Sequence, residues 1–201
     1  FLNSKKKKKS IKFKKKYAVY IDENVTNHHD NLLLGYNNPA SDDNYFPSLN
    51  KFFDFLEKKF NLEIIIALYP KLSKDHKNNF LNRKCILNST CDLIMNSEFV
   101  LSHASTSNSY AVLSKKPILT IITDEIYSSW YGSLVIQFSK ILNTQLVNID
   151  KNYDNLKVEH INKKIYKHYK DNYLKDKNSP NLSIWKMLEL KIREAYSENN
   201  N

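Results

Sequence analysis

The stretch that most constrains the fold of this chain runs Phe99-Val-Leu-Ser-His-Ala-Ser-Thr-Ser-Asn-Ser-Tyr-Ala-Val-Leu-Ser-Lys-Lys-Pro-Ile-Leu-Thr-Ile122. Phe99 to Leu101 and Ile118 to Ile122 read as buried strands, Ser105 to Ser114 as a helix, and the Lys-Lys-Pro sequence as the turn between them. A strand, a helix and a second strand in that order make a right-handed crossover between parallel strands. Leu62 to Leu68 is nearly all apolar, as suits a central strand covered on both faces. Tyr17 to Ile21, Lys84 to Leu87 and Gln145 to Ile149 supply three more strands. A helix is predicted from Asp43 or Asn44 through Phe60, on the spacing of Leu49, Phe52, Phe53 and Leu56. Asn88-Ser89-Thr90 caps a short helix through Asn96. Residues 128–142 form another, with Trp130, Leu134, Val135, Phe138 and Ile141 on its inner side. This alternation predicts an α/β fold: a doubly wound, mostly parallel sheet with helices on both faces. Residues 1–16 read as a basic lead-in and 17–150 as the sheet domain. Residues 151–201 read as C-terminal helices packing on it, near 154–174 and 183–197.

Composition narrows the chemistry. The chain has 201 residues, 41% hydrophobic and 12% aromatic, enough for a sizeable core. No apolar run approaches the length of a membrane-spanning helix. Only Gly35 and Gly132 are glycines, which excludes GxGxxG and P-loop phosphate binding. Cys85 and Cys91 fit neither a zinc pair nor a disulfide framework, and read as reduced, buried thiols of a cytosolic protein. The chain starts at Phe1, its basic run leads into no signal-peptide core, and it reads as the C-terminal piece of something longer. Lys5 to Lys9, Lys12 and Lys14 to Lys16 account for all but one of the net +10 charges. The body is therefore nearly neutral, and no specific nucleic-acid partner is expected. The lysine run is either a solvated linker or a contact for an anionic membrane surface.

The candidate site gathers where strands end. Ser102, Ser105, Thr106, Ser107 and Ser109 crowd the hand-over from strand to helix, more hydroxyls than one N-cap needs. Beside a helix N-terminus they could cradle a phosphate or carboxylate. His103 could bond that phosphate or act as an acid, or be a plain loop histidine. Asp22 and Glu23 follow the first strand, where a carboxylate could take a proton from a hydroxyl or simply cap a turn. Of the two, Asp22 is the slightly favoured base. Asp124 and Glu125 follow another strand and could bind sugar hydroxyls or cap a helix. His28, His29 and Asp30 make a poor metal site, because adjacent histidines point apart, and no metal is expected; their other reading is a loop that faces the acceptor or donor. The long loop from Asn24 to Asn44 carries them.

Three features in order carry a resemblance. An apolar strand ends in Asp22-Glu23, a later strand ends at Tyr69-Pro70-Lys71, and Ser102-His-Ala-Ser-Thr-Ser107 leads into Lys115-Lys-Pro-Ile. From Tyr17 to Asp124 the chain resembles the C-terminal, donor-binding half of a GT-B-fold glycosyltransferase, a Rossmann-like domain. More narrowly it is similar to bacterial surface-polysaccharide enzymes of the sialyltransferase-like and capsule-transferase groups. Related transferases often carry His-Pro where this chain has Tyr69-Pro70, and some have Gly where it has Asn24.

The resemblance implies a metal-independent transferase that binds a nucleotide sugar and a glycan or lipid-linked acceptor, in capsule or lipopolysaccharide synthesis. It implies phosphate contacts from Tyr69, Pro70, Lys71 and the Ser105–Ser107 turn. It implies Asp22, Glu23 and His103 as the catalytic groups, and a cytoplasmic enzyme, peripheral at the inner membrane face. Two alternatives stay open: a nucleotide-sugar epimerase-like enzyme, and a non-catalytic binding module tethered to a membrane surface.

Overall fold

The computed structural model describes residues 13–70 and 76–198, so the lysines before residue 13 and Lys71 lie outside the described residues. Six strands, β1 (Tyr17–Ile21), β2 (Glu63–Ala67), β3 (Lys84–Ile86), β4 (Val100–Ser102), β5 (Ile118–Ile122) and β6 (Gln145–Asn148), form one sheet. Their order is β3-β2-β1-β4-β5-β6, and every neighbouring pair is parallel. This is the Rossmann-like order, in which the winding reverses between β1 and β4.

Strand alternation builds two apolar layers. Ala18 and Tyr20 of β1, Ile64 and Ile66 of β2, and Leu119 and Ile121 of β5 face one side. There they meet Leu49, Phe52, Phe53 and Leu56 of α2 (Asp42–Phe60). Tyr17, Val19 and Ile21 face the other side with Ile65 and Ala67. They pack on Leu93 and Ile94 of α3 (Thr90–Asn96), Ala111 and Val112 of α4 (Asn108–Leu113), and Tyr166 and Tyr169 of α7 (Lys163–Tyr169). Parallel strands buried on both faces are mostly apolar, and the buried polar exceptions here are bonded: Ser102 of β4 to Asn108 and Thr120 of β5 to Thr144.

Several boundaries differ from the sequence reading. The long loop contains a helix, α1 (His29–Leu34), ended by Gly35 at φ +72°, the left-handed geometry glycine permits. The helix predicted from Ser105 begins only at Asn108, so the serines before it form a turn. The helix predicted from 154 begins at Lys163, where the Asn162 side chain accepts from the Lys164 and Ile165 amides. A π turn over Lys170–Leu174 follows it. The last helix, α8 (Ile184–Glu198), leaves Ile184, Trp185 and Tyr196 largely exposed. Cys85 and Cys91 are free thiols as expected but only half-buried.

Two helices follow β5: α5 (Asp124–Ser128) and α6 (Trp130–Leu142). Thr123 caps α5 by accepting from the Ile126 amide, and Ser129 caps α6. The buried side of α6 is Gly132, Val135, Ser139 and Leu142, whereas Leu134 and Ile141 are exposed. The inward face is thus rotated from the predicted one, which frees Trp130. Gly132 sets that rotation. A Cβ there would lie 2.4 Å from the Ile126 carbonyl oxygen and 2.6 Å from that of Tyr127. Both atoms are backbone and cannot swing away. Gly132→Ala should therefore destabilise the fold by about 1–3 kcal/mol, lowering the unfolding midpoint by roughly 2–12 °C. An unchanged midpoint in thermal denaturation would show that α5 and α6 do not press together as described.

Candidate functional site

A cavity of about 560 Å³ opens at the C-terminal ends of β1, β2 and β4. It sits where open parallel sheets bind ligands, beside the reversal between β1 and β4. Asp22, Glu23, Tyr69 and Pro70 line it, with Ser105, Thr106 and Ser107 on the far side. So far these are sequence candidates. The lining also includes His28, Asp30, Asn31, Tyr36, Trp130 and Tyr131.

Glu23 is at the centre of this arrangement. Its Oε1 accepts from the His103 amide at 2.7 Å. Its Oε2 accepts from the Ala104 amide at 3.2 Å and from the Tyr131 hydroxyl at 2.6 Å. One side chain from the end of β1 thereby holds the end of β4 and the first turn of α6. Burial pushes its carboxyl up to about 7. The three hydrogen bonds pull the other way, and neighbouring Asp22 adds to the rise. A carboxylate balanced near neutrality at a cavity wall is suited to taking and returning a proton.

Asp22 is committed differently. Its Oδ1 accepts from the Asn24 amide at 3.0 Å. Its Oδ2 accepts from the Tyr69 amide at 3.1 Å and meets His76 Nε2 at 3.0 Å. The side chain is buried and splints the end of β1 to the end of β2 and to a 3-10 turn over His76–Phe80. Asp22 and Glu23 both line the cavity, Asp22 as the more buried of the two.

His103 is a correction. It is fully buried and does not line the cavity. Its Nδ1 lies 2.7 Å from the Ile121 carbonyl, which can only accept, so Nδ1 carries the hydrogen. Nε2 is then the acceptor for the Tyr45 hydroxyl at 2.7 Å, and Tyr20 donates to Tyr45 at 2.6 Å. Burial pulls its imidazole down to about 4, against the Ile121 bond and Asp22. His103 is a neutral core histidine, and only its backbone amide serves the site.

The other predicted residues divide. Ser102 is buried and donates to Asn108 Oδ1 at 2.9 Å, outside the cavity. Ser109 is also outside it. Ser105 Oγ accepts from the Ser107 amide at 3.2 Å, which shapes the turn. Because α4 has only six residues and starts after them, the helix-dipole argument for this cradle fails. Thr106 and Ser107 line the cavity. Asp124 and Glu125 are absent from the lining. Asp124 bonds Asn148 and Lys151, each at 2.7 Å. Glu125 accepts from the Ser41 amide at 2.9 Å and from Asn44 at 2.6 Å, clamping the start of α2. Lys71 is outside the described residues.

Of the aromatic side of the cavity the sequence reading includes Tyr69 but gives Tyr36 and Trp130 no part. Tyr69 lies against His28 with centroids 5.0 Å apart. Tyr36 and Trp130 pair at 5.2 Å, and the Trp130 Nε1–H donates to the Asn37 carbonyl at 3.0 Å. Their signal was available: both are large aromatics beside turn residues. Trp130 was absorbed into a predicted apolar helix face, and Tyr36 into a loop. Among the described residues no group of three or more His, Cys, Asp or Glu could hold a metal ion. No described helix is long and apolar enough to cross a membrane.

No protein-family model matches the chain, and no curated protein matches it. Among solved structures it is similar to the glycotransferase of kitacinnamycin, at 7% identity and a TM-score of 0.39. The match covers 70% of this chain and 32% of that one, so the chain spans about a third of that protein's length.

The assignment of His103 sets a pH dependence. An unfolded histidine titrates near 6.5. Between about 6.5 and the folded value of about 4, the unfolded chain takes up a proton that the folded chain refuses. The His103 contribution is complete above that window and is lost as pH falls through it. Glu23 has the opposite sign, its contribution being present below the ordinary glutamate range and lost as pH rises to about 7. In thermal denaturation, the stability advantage of the wild type over His103→Gln should narrow as pH falls from 6.5 to 4. A constant advantage would contradict a neutral, buried imidazole.

Proposed function

We propose that this chain is the nucleotide-sugar-binding unit of a glycosyltransferase in surface-polysaccharide or lipooligosaccharide synthesis. The observation that carries the reading is the place of Glu23, whose carboxylate holds the His103 and Ala104 amides and the Tyr131 hydroxyl at the wall of a cavity beside the β1–β4 reversal. A hydroxyl-bearing turn, Ser105 to Ser107, lines the same cavity.

In this reading the donor's phosphate meets the Thr106 and Ser107 hydroxyls. The acceptor is a glycan, free or lipid-linked. Its hydroxyl oxygen forms a bond to the anomeric carbon while the bond from that carbon to the phosphate oxygen breaks. Glu23 takes the hydroxyl proton, and the electron pair of the broken bond leaves with the nucleotide. Tyr131 steadies the Glu23 carboxylate, and the Asp22 splint keeps the Tyr69 end of β2 beside it. The hydroxyl turn supplies the contacts to the leaving group, so the reading needs no metal. The Lys5–Lys16 run would meet the anionic face of a membrane.

Calorimetric titration of the chain with CMP, UDP and GDP tests this reading. One nucleotide should bind, and a Ser105→Ala/Thr106→Ala/Ser107→Ala variant should weaken it by roughly tenfold or more, since charge-assisted bonds to phosphate are among the stronger ones. Binding that the triple variant leaves intact would remove the turn from the site. Where transfer is measured, the rate should rise with pH up to about 7 and then level, because Glu23 must be ionised to accept a proton. Glu23→Gln should remove that rise and cost about 10²–10⁴-fold. A pH profile unchanged by the substitution would show that Glu23 is not the base.

A further inference from the structure

The body of the chain is near neutral only in sum, because the fold sorts its charges. All six strands are parallel, so the segments that leave them lie at one end of the sheet and those that enter them at the other. The leaving segments, at the cavity's end, carry Asp22, Glu23, Asp30, Asp124 and Glu125. The entering segments carry lysines. Lys14, Lys15 and Lys16 precede β1, and Lys115 and Lys116 precede β5. Lys58 and Lys59 stand in the last turn of α2, and Lys140 in the last turn of α6. Bonds hold these segments at one level. The Glu63 amide donates to the Lys16 carbonyl at 3.0 Å, the Ile64 amide to the Glu57 carboxylate at 3.0 Å, and the Val100 amide to the Pro117 carbonyl at 2.9 Å.

Among the described residues, exposed Lys14, Lys15, Lys58, Lys115 and Lys140 meet no carboxylate. The acids at their end are mostly taken: Glu98 pairs with Lys16, Glu63 with Lys84, and Asp54 and Glu57 hold Arg83. Asp154 and Glu159 cross the same end, with Lys157 between them. The preference of helix C-termini for cations accounts for Lys58 and Lys140. It does not account for Lys14 and Lys15, which lead into a strand, or for the aliphatic side chains set among the lysines. Leu113 ends α4, Ile141 follows Lys140 and Leu81 precedes β3, and they are 44%, 41% and 63% exposed.

This mixture selects the partner. Duplex nucleic acid is read best by arginine forks, and single strands by stacked aromatic rings. The chain has two arginines: Arg83 is folded into its ion pairs, and Arg193 belongs to α8. Exposed lysines with leucine and isoleucine between them suit an anionic bilayer, ammonium groups at the headgroups and aliphatic groups at the acyl boundary. We propose that the end of the sheet opposite the cavity is a docking face for an anionic phospholipid surface. The folded body itself forms it, and in sequence the Lys5–Lys12 run leads into it. Docking there turns the cavity away from the bilayer. The proposal goes beyond a tether made by the lysine run alone and does not depend on the glycosyltransferase reading.

Flotation of the full chain with vesicles of phosphatidylglycerol and phosphatidylcholine tests it, with phosphatidylcholine alone and an oligonucleotide as competing partners. The chain should bind the anionic vesicles, release them at high salt and ignore phosphatidylcholine. Lys58→Ser/Lys115→Ser/Lys140→Ser, with the Lys5–Lys12 run intact, should weaken binding by roughly tenfold or more. Leu113→Ser/Ile141→Ser should weaken it by about threefold or more. In Trp185→Phe, brominated phosphatidylglycerol should leave Trp130 emission unchanged. It should quench the tryptophan of Leu113→Trp in a Trp130→Phe/Trp185→Phe background. The proposal is overturned if the chain ignores anionic vesicles, if it prefers the oligonucleotide, or if the lysine triple variant binds like the wild type, which would leave the run as the only contact. Full binding by Leu113→Ser/Ile141→Ser would remove the aliphatic contact on which the choice of lipid rests and overturn it too. Quenching of Trp130 would put the cavity mouth on the bilayer, with the same consequence. None of these lysines or aliphatic residues lines the cavity, so a failed nucleotide titration leaves this face standing, and a failure here leaves the donor reading untouched.

Discussion

The carboxylate of Glu23 is the joint on which the site depends. It is the side chain just past β1, and it reaches across the sheet's reversal to two backbone amides at the end of β4 and to a hydroxyl on α6. Parallel strands diverge at this point because their crossovers leave in opposite directions. The backbone amides exposed there need acceptors, and Glu23 supplies them. Burial in that role opposes its charge and lifts its carboxyl toward neutrality. The bonding that assembles the cavity therefore also gives it a group able to exchange a proton, with one side chain serving both ends.

Asp22, beside it, plays the matching part. It too accepts or meets three protein groups, the Asn24 and Tyr69 amides and His76. It joins β1 to β2 as Glu23 joins β1 to β4. Adjacent residues at a strand end point to opposite sides, so the pair can brace both neighbours of the central strand at once. The loss of the predicted helix start at Ser105 fits the same economy. Asn108 is held by Ser102, and Ser105 folds back on the Ser107 amide, so the serine-rich segment spends part of its hydroxyls on its own turn.

The sheet was legible because its chemistry is local. Strands buried on both faces are nearly continuous apolar runs, and β1, β2 and β5 carry that mark in the sequence, broken only by Glu63 and Thr120. The carboxylates after β1 could be placed for the same reason, as polar residues where an apolar run stops. What escaped the sequence was set by distant partners. His103 is in the core because Tyr45, 58 positions away, accepts the role of its donor. Glu125 clamps Ser41, 84 positions away, and no spacing rule connects them. The aromatic mouth was hidden by a phase error. Gly132 and Ser139 are small enough to put α6 close to its neighbours, which turns Val135 inward and leaves Trp130 at the cavity.

The central claim is that the Glu23 carboxyl is held near neutrality by its burial at the strand reversal. Carboxyl carbon-13 NMR across pH 3 to 9 measures this directly, with the Glu23 resonance assigned by its absence in Glu23→Gln. The account predicts a midpoint of about 7. A midpoint in the ordinary glutamate range, about 4.3, would mean a solvated carboxylate and would contradict both its place in the fold and the part proposed for it.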